Sequence, residues 1–150
     1  MARKDKTDCE CALCSGKMDM QELDEQSAQL IHRYGWYAHY VLPKVAGEMG
    51  DYHTHGVVES FAHLNFQVTL PIEPKEVHST FHRVINLVKE GVTFTDGLIS
   101  DEIIRDMPVK FVETTDVFGE RVLRIILPDH NGLVEGADME PFYQKQYPDL

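Results

Sequence analysis

The clearest hydrophobic pattern in the chain is a strict alternation of apolar and polar residues from Leu64 to Leu70. Leucine, phenylalanine and valine take one set of alternate positions, and asparagine, glutamine and threonine take the other. Because successive side chains of a strand point to opposite faces of a sheet, this pattern predicts a β-strand with one core face. We expect its polar face to be wet or to line a site.

Four further segments have the β-branched and aromatic composition of strands and end at proline, glycine or polar turns. They are residues 36–42, 52–58, 109–112 and 121–127. Gly56, inside the second segment, indicates a bulge or a close backbone approach there.

Helical periodicity appears in two long segments, residues 20–34 and the stretch from Pro74 to Gly91. Each has apolar residues at helical spacing and a residue suited to its start. A short helix is expected between Ser100 and Pro108. Because helices and strands are clustered rather than alternating, we predict an α+β fold. The expected architecture is a mostly antiparallel sheet of about five strands with two main helices packed on it.

The length of the chain favours one domain. It has 150 residues, which is within the usual range for a single hydrophobic core. Residues 1–18 are charged and interrupted by Gly16, so we predict a flexible, cysteine-containing lead-in, followed by a single α+β domain over residues 19–150.

The net charge of the chain limits the classes of partner that we expect it to bind. Lys plus Arg total 14 and Asp plus Glu total 25, for a formal net charge of -11. Such a field repels phosphates, so nucleic acid and membrane surfaces are excluded as expected partners, while a basic protein and a homodimer stay open. No apolar run is long enough to span a bilayer, and no signal peptide follows the basic N-terminus. We therefore expect a cytoplasmic protein.

The three cysteines, Cys9, Cys11 and Cys14, form a C-x-C-x-x-C cluster. Thiolates at this spacing can converge on zinc, although a tetrahedral structural site needs a fourth ligand. Three ordinary exposed thiols are the alternative, and a redox role for Cys11 and Cys14 is a third. A clustered, odd number of cysteines also favours a reduced compartment over a disulfide framework.

The histidines suggest a second, separate metal site. His53 and His55 are two apart, so they share one face of a strand, and His78 and His82 are four apart, so they share one face of a helix. If the helix packs across the sheet on that face, the four imidazoles converge and zinc is the candidate cofactor. The alternative is a set of partly buried structural histidines.

Several short motifs resemble a bacterial family defined as a domain of unknown function. They are Gly35-Trp36, Thr54-His55-Gly56-Val57 with Glu59-Ser60-Phe61, and Leu127-Pro128-Asp129 with Asn131-Gly132. The resemblance would cover about residues 30–135 and implies a small bacterial cytoplasmic α+β protein, with no established reaction. The chain departs from the family pattern at His53, His55 and Leu127, so a site built on those histidines would not be general to the family.

Two classes of function follow. The chain has no nucleotide-binding or nucleophile-elbow motif, which favours a non-catalytic binding or regulatory module, with metal binding left open. The alternative is a metal-dependent hydrolase of a small molecule. In that hypothesis His53 and His55 are ligands, and His78 or His82 is a third ligand or a general base.

Overall fold

A computed structural model describes residues 33–116 and 118–148 of the chain. These residues form one six-stranded sheet and three helices. In chain order the elements are β1 (Tyr37–Val41), β2 (Asp51–His55), α1 (Val57–Phe61), β3 (Asn65–Val68), α2 (Pro74–Lys89), β4 (Ile99–Ile104), β5 (Met107–Thr115), β6 (Arg121–Ile126) and α3 (Pro141–Gln144).

The sheet has the strand order β1-β2-β3-β6-β5-β4. Its central pair, β3 and β6, is parallel, and the other neighbouring pairs are antiparallel. The α+β class is confirmed. The expected mostly antiparallel sheet of about five strands needs correction, because the sheet is mixed and has six strands. The parallel pair arises because the chain passes through α2 and the β4–β5 hairpin before β6 returns beside β3.

The additional strand is β4, which lies where the sequence predicted a short helix. That prediction was wrong. The segment pairs with β5 through a tight turn in which Ile104 lies opposite Met107 and Asp106 has a φ of 64°. Ser100 does not cap a helix, since its hydroxyl accepts a hydrogen bond from the Glu102 N–H within the strand. Its neighbours Ile99 and Ile103 suit a strand better than a helix.

Of the two predicted long helices, the structure describes one in full. Helix α2 has the predicted start at Pro74, and Val77, Phe81 and Val84 on its apolar face are fully buried. The other prediction, residues 20–34, lies outside the described residues except for its last two positions, which are helical.

The sheet has a different covering on each face. Helix α2 packs on one face, where Phe66 of β3 and Phe111 of β5 are fully buried. On the other face Ile126 of β6 packs with Val134 and Met139 of the C-terminal segment. That segment covers the sheet over β5 and β6. Part of the same face over β1 and β2 carries the polar residues described next.

Candidate metal centre

Three histidines lie together on β1 and β2. His39 of β1 is directly opposite His53 of β2 in the antiparallel register, and His55 lies two residues further along β2. Opposite residues and residues two apart share a face of a sheet, so all three imidazoles point to the same side. It is the side facing away from α2, because Tyr52, the residue before His53, belongs to the α2 core.

The three rings are close enough to share an ion. Each of the three histidines offers one ligand nitrogen, and these atoms all lie within 4.8 Å of one another. Three nitrogens bound tetrahedrally to zinc at about 2.0 Å each lie about 3.3 Å apart, so closure requires side-chain shifts of about 1 Å. Side-chain rotation alone can supply such shifts, and the three histidines form a group that could hold a metal ion.

His53 has the most constrained environment of the three. Its side chain is fully buried, and its Nδ1 lies 3.0 Å from Oδ1 of Asp51, which is also buried. Because a carboxylate only accepts hydrogen bonds, Nδ1 donates, and in the neutral ring Nε2 keeps its lone pair. Among the described residues, this buried Nε2 has no hydrogen-bond partner. An imidazole that donates from one nitrogen to a carboxylate and keeps a lone pair on the other is the arrangement typical of a metal ligand.

Asp51 is itself held by a hydrogen-bonded chain that crosses the sheet. Gln67 Nε2 donates to Asp51 Oδ1 over 2.9 Å, and Gln67 Oε1 accepts a 2.7 Å hydrogen bond from Arg124 Nε. Arg124 also donates to the backbone carbonyl of Gln146, a fully buried residue of the C-terminal segment. The histidine cluster is therefore connected, through side chains with fixed partners, to the segment that covers the same face of the sheet over β5 and β6.

These residues occupy one row of the sheet. The register places His39 opposite His53, His53 opposite Gln67, Gln67 opposite Arg124, and Arg124 opposite Val112. Paired positions across neighbouring strands point to the same face. The row thus has two histidines at one end, polar groups that hydrogen-bond to one another in the middle, and an apolar residue at the other end.

The electrostatics keep the outer two imidazoles neutral. Burial lowers the pKa of His39, and the neighbouring His53 lowers it further, against an opposing effect of Asp51. Burial lowers the pKa of His55 to about 4, with His53 and His39 adding to the shift, while Asp116 and Asp51 oppose it. Neutral imidazoles bind metal ions and protonated ones do not, so at neutral pH both rings are ready to act as ligands.

The turn between β5 and β6 borders the cluster. The Phe118 ring lies 5.7 Å from the His53 ring and 6.2 Å from the His39 ring, although 61% of the residue is exposed. Asp116 holds this turn, because its Oδ1 accepts hydrogen bonds from the N–H groups of Phe118 and Glu120. The cluster therefore has an exposed aromatic wall on one side.

His78 and His82 do not join His53 and His55. They lie on α2, where the Trp36 ring is stacked on His78 at 5.3 Å and lies 6.2 Å from His82. His78 Nδ1 is also 3.0 Å from the Tyr40 hydroxyl. Helix α2 packs against the opposite face of the sheet, so the expected convergence of sheet and helix imidazoles does not occur.

The cysteines of the other predicted metal site, Cys9, Cys11 and Cys14, lie outside the described residues. The polar face of β3 is buried rather than wet, because Gln67 is 2% exposed and supports Asp51.

Sequence reasoning missed His39. The sequence did contain a clue, because His39 lies in a predicted strand, and one face of that strand can adjoin the face that carries His53 and His55. What the sequence did not show was that this strand pairs with β2 in a register that sets His39 beside His53. The sequence does not specify the geometry of the loop between β1 and β2, so it does not determine which residues of the two strands lie opposite each other.

Comparison of the chain with known protein families, with curated proteins and with solved structures gives no match. The family resemblance of the short motifs therefore stays a prediction. Within residues 33–116 and 118–148, none of the helices has the length and apolar character needed to cross a membrane.

Proposed function

We propose that this protein binds a divalent transition-metal ion, with Zn²⁺ as the first candidate, through His39, His53 and His55. The observation that carries the proposal is the buried Nε2 of His53, which has no hydrogen-bond partner among the described residues and belongs to a ring grouped with two neutral imidazoles. A buried polar atom without a partner costs free energy, and coordination to a cation is one way to satisfy it.

The ligand set favours zinc chemistry over calcium or magnesium. Imidazole nitrogens suit Zn, Cu, Fe and Ni, whereas Ca²⁺ and Mg²⁺ prefer oxygen ligands. Asp51 completes the pattern, because a carboxylate behind a ligating histidine fixes the ring and increases the basicity of the ligand nitrogen. The net charge of -11 also favours a cation.

Equilibrium metal binding by the full chain tests this proposal. The protein is purified without a metal-affinity tag, stripped with a chelator, and titrated with Zn²⁺ against a competing indicator. We expect His39→Gln, His53→Gln and His55→Gln each to weaken binding, and His130→Gln, at an exposed histidine elsewhere, to leave it unchanged. Zinc binding of less than about a tenth of an ion per chain, or binding insensitive to all three substitutions, would refute the proposal.

The cysteine cluster requires its own control, since Cys9, Cys11 and Cys14 are a second candidate zinc site. A variant with all three replaced by serine should still bind the ion that His39, His53 and His55 hold. Loss of all zinc binding in this variant, together with full binding by the histidine variants, would assign the metal to the cysteine segment instead.

A hydrolytic role is the second candidate function. The proposed site has three histidine ligands among the described residues, which leaves a fourth position for water in a tetrahedral shell. Metal-bound water is acidic enough to supply hydroxide near neutral pH. Zinc-dependent hydrolysis of 4-nitrophenyl acetate, lost in His55→Gln, would support it. Stoichiometric zinc binding without such activity would favour the non-catalytic binding module, for which a homodimer and a basic protein partner stay predictions.

A further inference from the structure

We propose that a groove between β1 and α2, separate from the histidine cluster, binds a small planar aromatic anion, of which an aromatic carboxylate is the simplest example. The groove has a volume of about 830 Å³, which is within the usual range for small-molecule sites. It runs along α2 from Pro74 to Lys89, beside the edge strand β1 and the residues just before β1.

The walls of the groove are aromatic. Trp36, which is 5% exposed, forms part of the lining, with Tyr40 from β1. The His78 ring is stacked on the Trp36 ring with an interplanar angle of 24°, and the His82 ring is nearly parallel to that of His78. Stacked, nearly parallel rings present flat surfaces, and such surfaces favour offset stacking with a planar ligand.

The charged residues that line the groove indicate that its ligand is an anion. Among the described residues that line the groove, the ionisable groups other than tyrosines are Lys75, Lys89, His78 and His82, and none is an aspartate or glutamate. This is unusual in a chain with 25 acidic residues. A locally basic, partly apolar groove on an acidic protein attracts an anion to that point and repels cations from it.

The Tyr40 hydroxyl fixes the orientation of the His78 ring in the groove. It lies 3.0 Å from His78 Nδ1, so the ring of His78 is held against the Trp36 ring rather than free to turn. A ring held in place loses less rotational freedom when a ligand stacks on it. The groove uses none of the three proposed metal ligands, so the inference is independent of metal binding.

The chain offers a built-in reporter for the test, because Trp36 is its single tryptophan. In a ¹⁵N-labelled sample its indole N–H gives one assigned resonance without mutagenesis. We would titrate the full chain with naphthalene-2-carboxylate and, as the matched neutral probe, with naphthalene-2-carboxamide. Calorimetry gives the affinities, and the indole resonance shows whether the probe binds at the groove.

We expect the carboxylate to bind about tenfold more tightly than the amide and to shift the Trp36 indole resonance. Lys75 and Lys89 lie at opposite ends of α2, about 21 Å apart along its axis, so one carboxylate can contact only one of them. Either Lys75→Gln or Lys89→Gln should weaken carboxylate binding about threefold to tenfold, and neither should change amide binding. Lys145→Gln, which removes a lysine from the C-terminal segment, is the matched control and should change neither.

Three results would overturn the inference. They are no binding of the carboxylate at millimolar concentration, equal affinities for carboxylate and amide, and binding that leaves the Trp36 indole resonance unmoved. Circular dichroism of each variant establishes that the lysine substitutions leave the fold intact, as expected for exposed side chains.

Discussion

Asp51 Oδ1 accepts a 3.0 Å hydrogen bond from His53 Nδ1, and both side chains are buried. This contact determines which nitrogen of His53 carries the proton and leaves the lone pair of the neutral ring on Nε2. In the proposed metal site, this carboxylate would make His53 a preorganised ligand.

Replacing Asp51 with asparagine should weaken zinc binding about tenfold to a hundredfold. The amide lacks the negative charge that raises the basicity of the ligand nitrogen, and its NH₂ group can face His53 Nδ1 and favour the other tautomer. The measurement is a competitive zinc titration. Asp101→Asn, at an exposed position in β4, is the control. Equal zinc affinities for wild type and Asp51→Asn would show that Asp51 does not orient the ligand.

Replacing Arg124 with methionine should lower the free energy of unfolding by about 1–3 kcal/mol. The substitution leaves Gln67 Oε1 and the Gln146 carbonyl without the hydrogen bonds that Arg124 donates. Zinc affinity should also fall, but less than in Asp51→Asn, because Arg124 acts on the cluster only through Gln67 and Asp51. Urea denaturation and zinc titration give the two quantities.

The control for this prediction is Arg105→Met in the exposed turn between β4 and β5. It removes the same charge without touching the buried chain of hydrogen bonds. If Arg124→Met and Arg105→Met destabilised the protein equally, the effect would be one of surface charge.

The metal-free protein should lose stability as the pH falls from about 6.5 to about 4. The pKa of His55 is lowered from 6.5 to about 4 in the folded state, so over this range the unfolded chain binds the proton and the folded chain resists it. Stability from this group is therefore complete above pH 6.5 and is lost toward pH 4. Since His55 is partly exposed, we expect a loss of about 1–2 kcal/mol.

Urea denaturation in the presence of a chelator, repeated at several pH values, measures this loss. His55→Gln removes the titrating group, so its stability should fall less steeply over the same range. Parallel pH profiles for wild type and His55→Gln would show that another group is responsible.

Gly35→Ala should destabilise the fold more than Gly47→Ala. Both glycines have a φ near +87°, so alanine pays a similar backbone cost of about 1–2 kcal/mol at each. At Gly35 a Cβ atom would also lie 2.6 Å from Cζ of Phe61, whereas at Gly47 no atom of the described part of the chain would lie within 4 Å of it. The added clash should cost about 1–3 kcal/mol.

The melting temperatures of the two variants, measured side by side, test this comparison. Gly47→Ala shows the destabilisation that comes from the backbone conformation alone. Identical melting temperatures would mean that the Phe61 ring moves aside without cost.

The sequence predicted the fold well wherever one segment carried its own periodicity. The alternation from Leu64 to Leu70 gave β3, and the apolar stripe after Pro74 gave α2. It failed at β4, where Ser100 and Pro108 imitate helix boundaries. There the pairing with β5 determines the conformation, and the local pattern of β4 does not show that the next segment pairs with it.

The sequence by itself determined that His53 and His55 share a face, because a strand has a two-residue repeat. It also determined the apolar face of α2, because a helix has a 3.6-residue repeat. Only the tertiary structure decided that α2 packs on the face away from these histidines, that His39 lies opposite His53, and that Asp51, Gln67 and Arg124 support them. The physical reason is that side-chain periodicity is fixed by local backbone geometry, whereas strand register and the choice of face depend on contacts between distant segments.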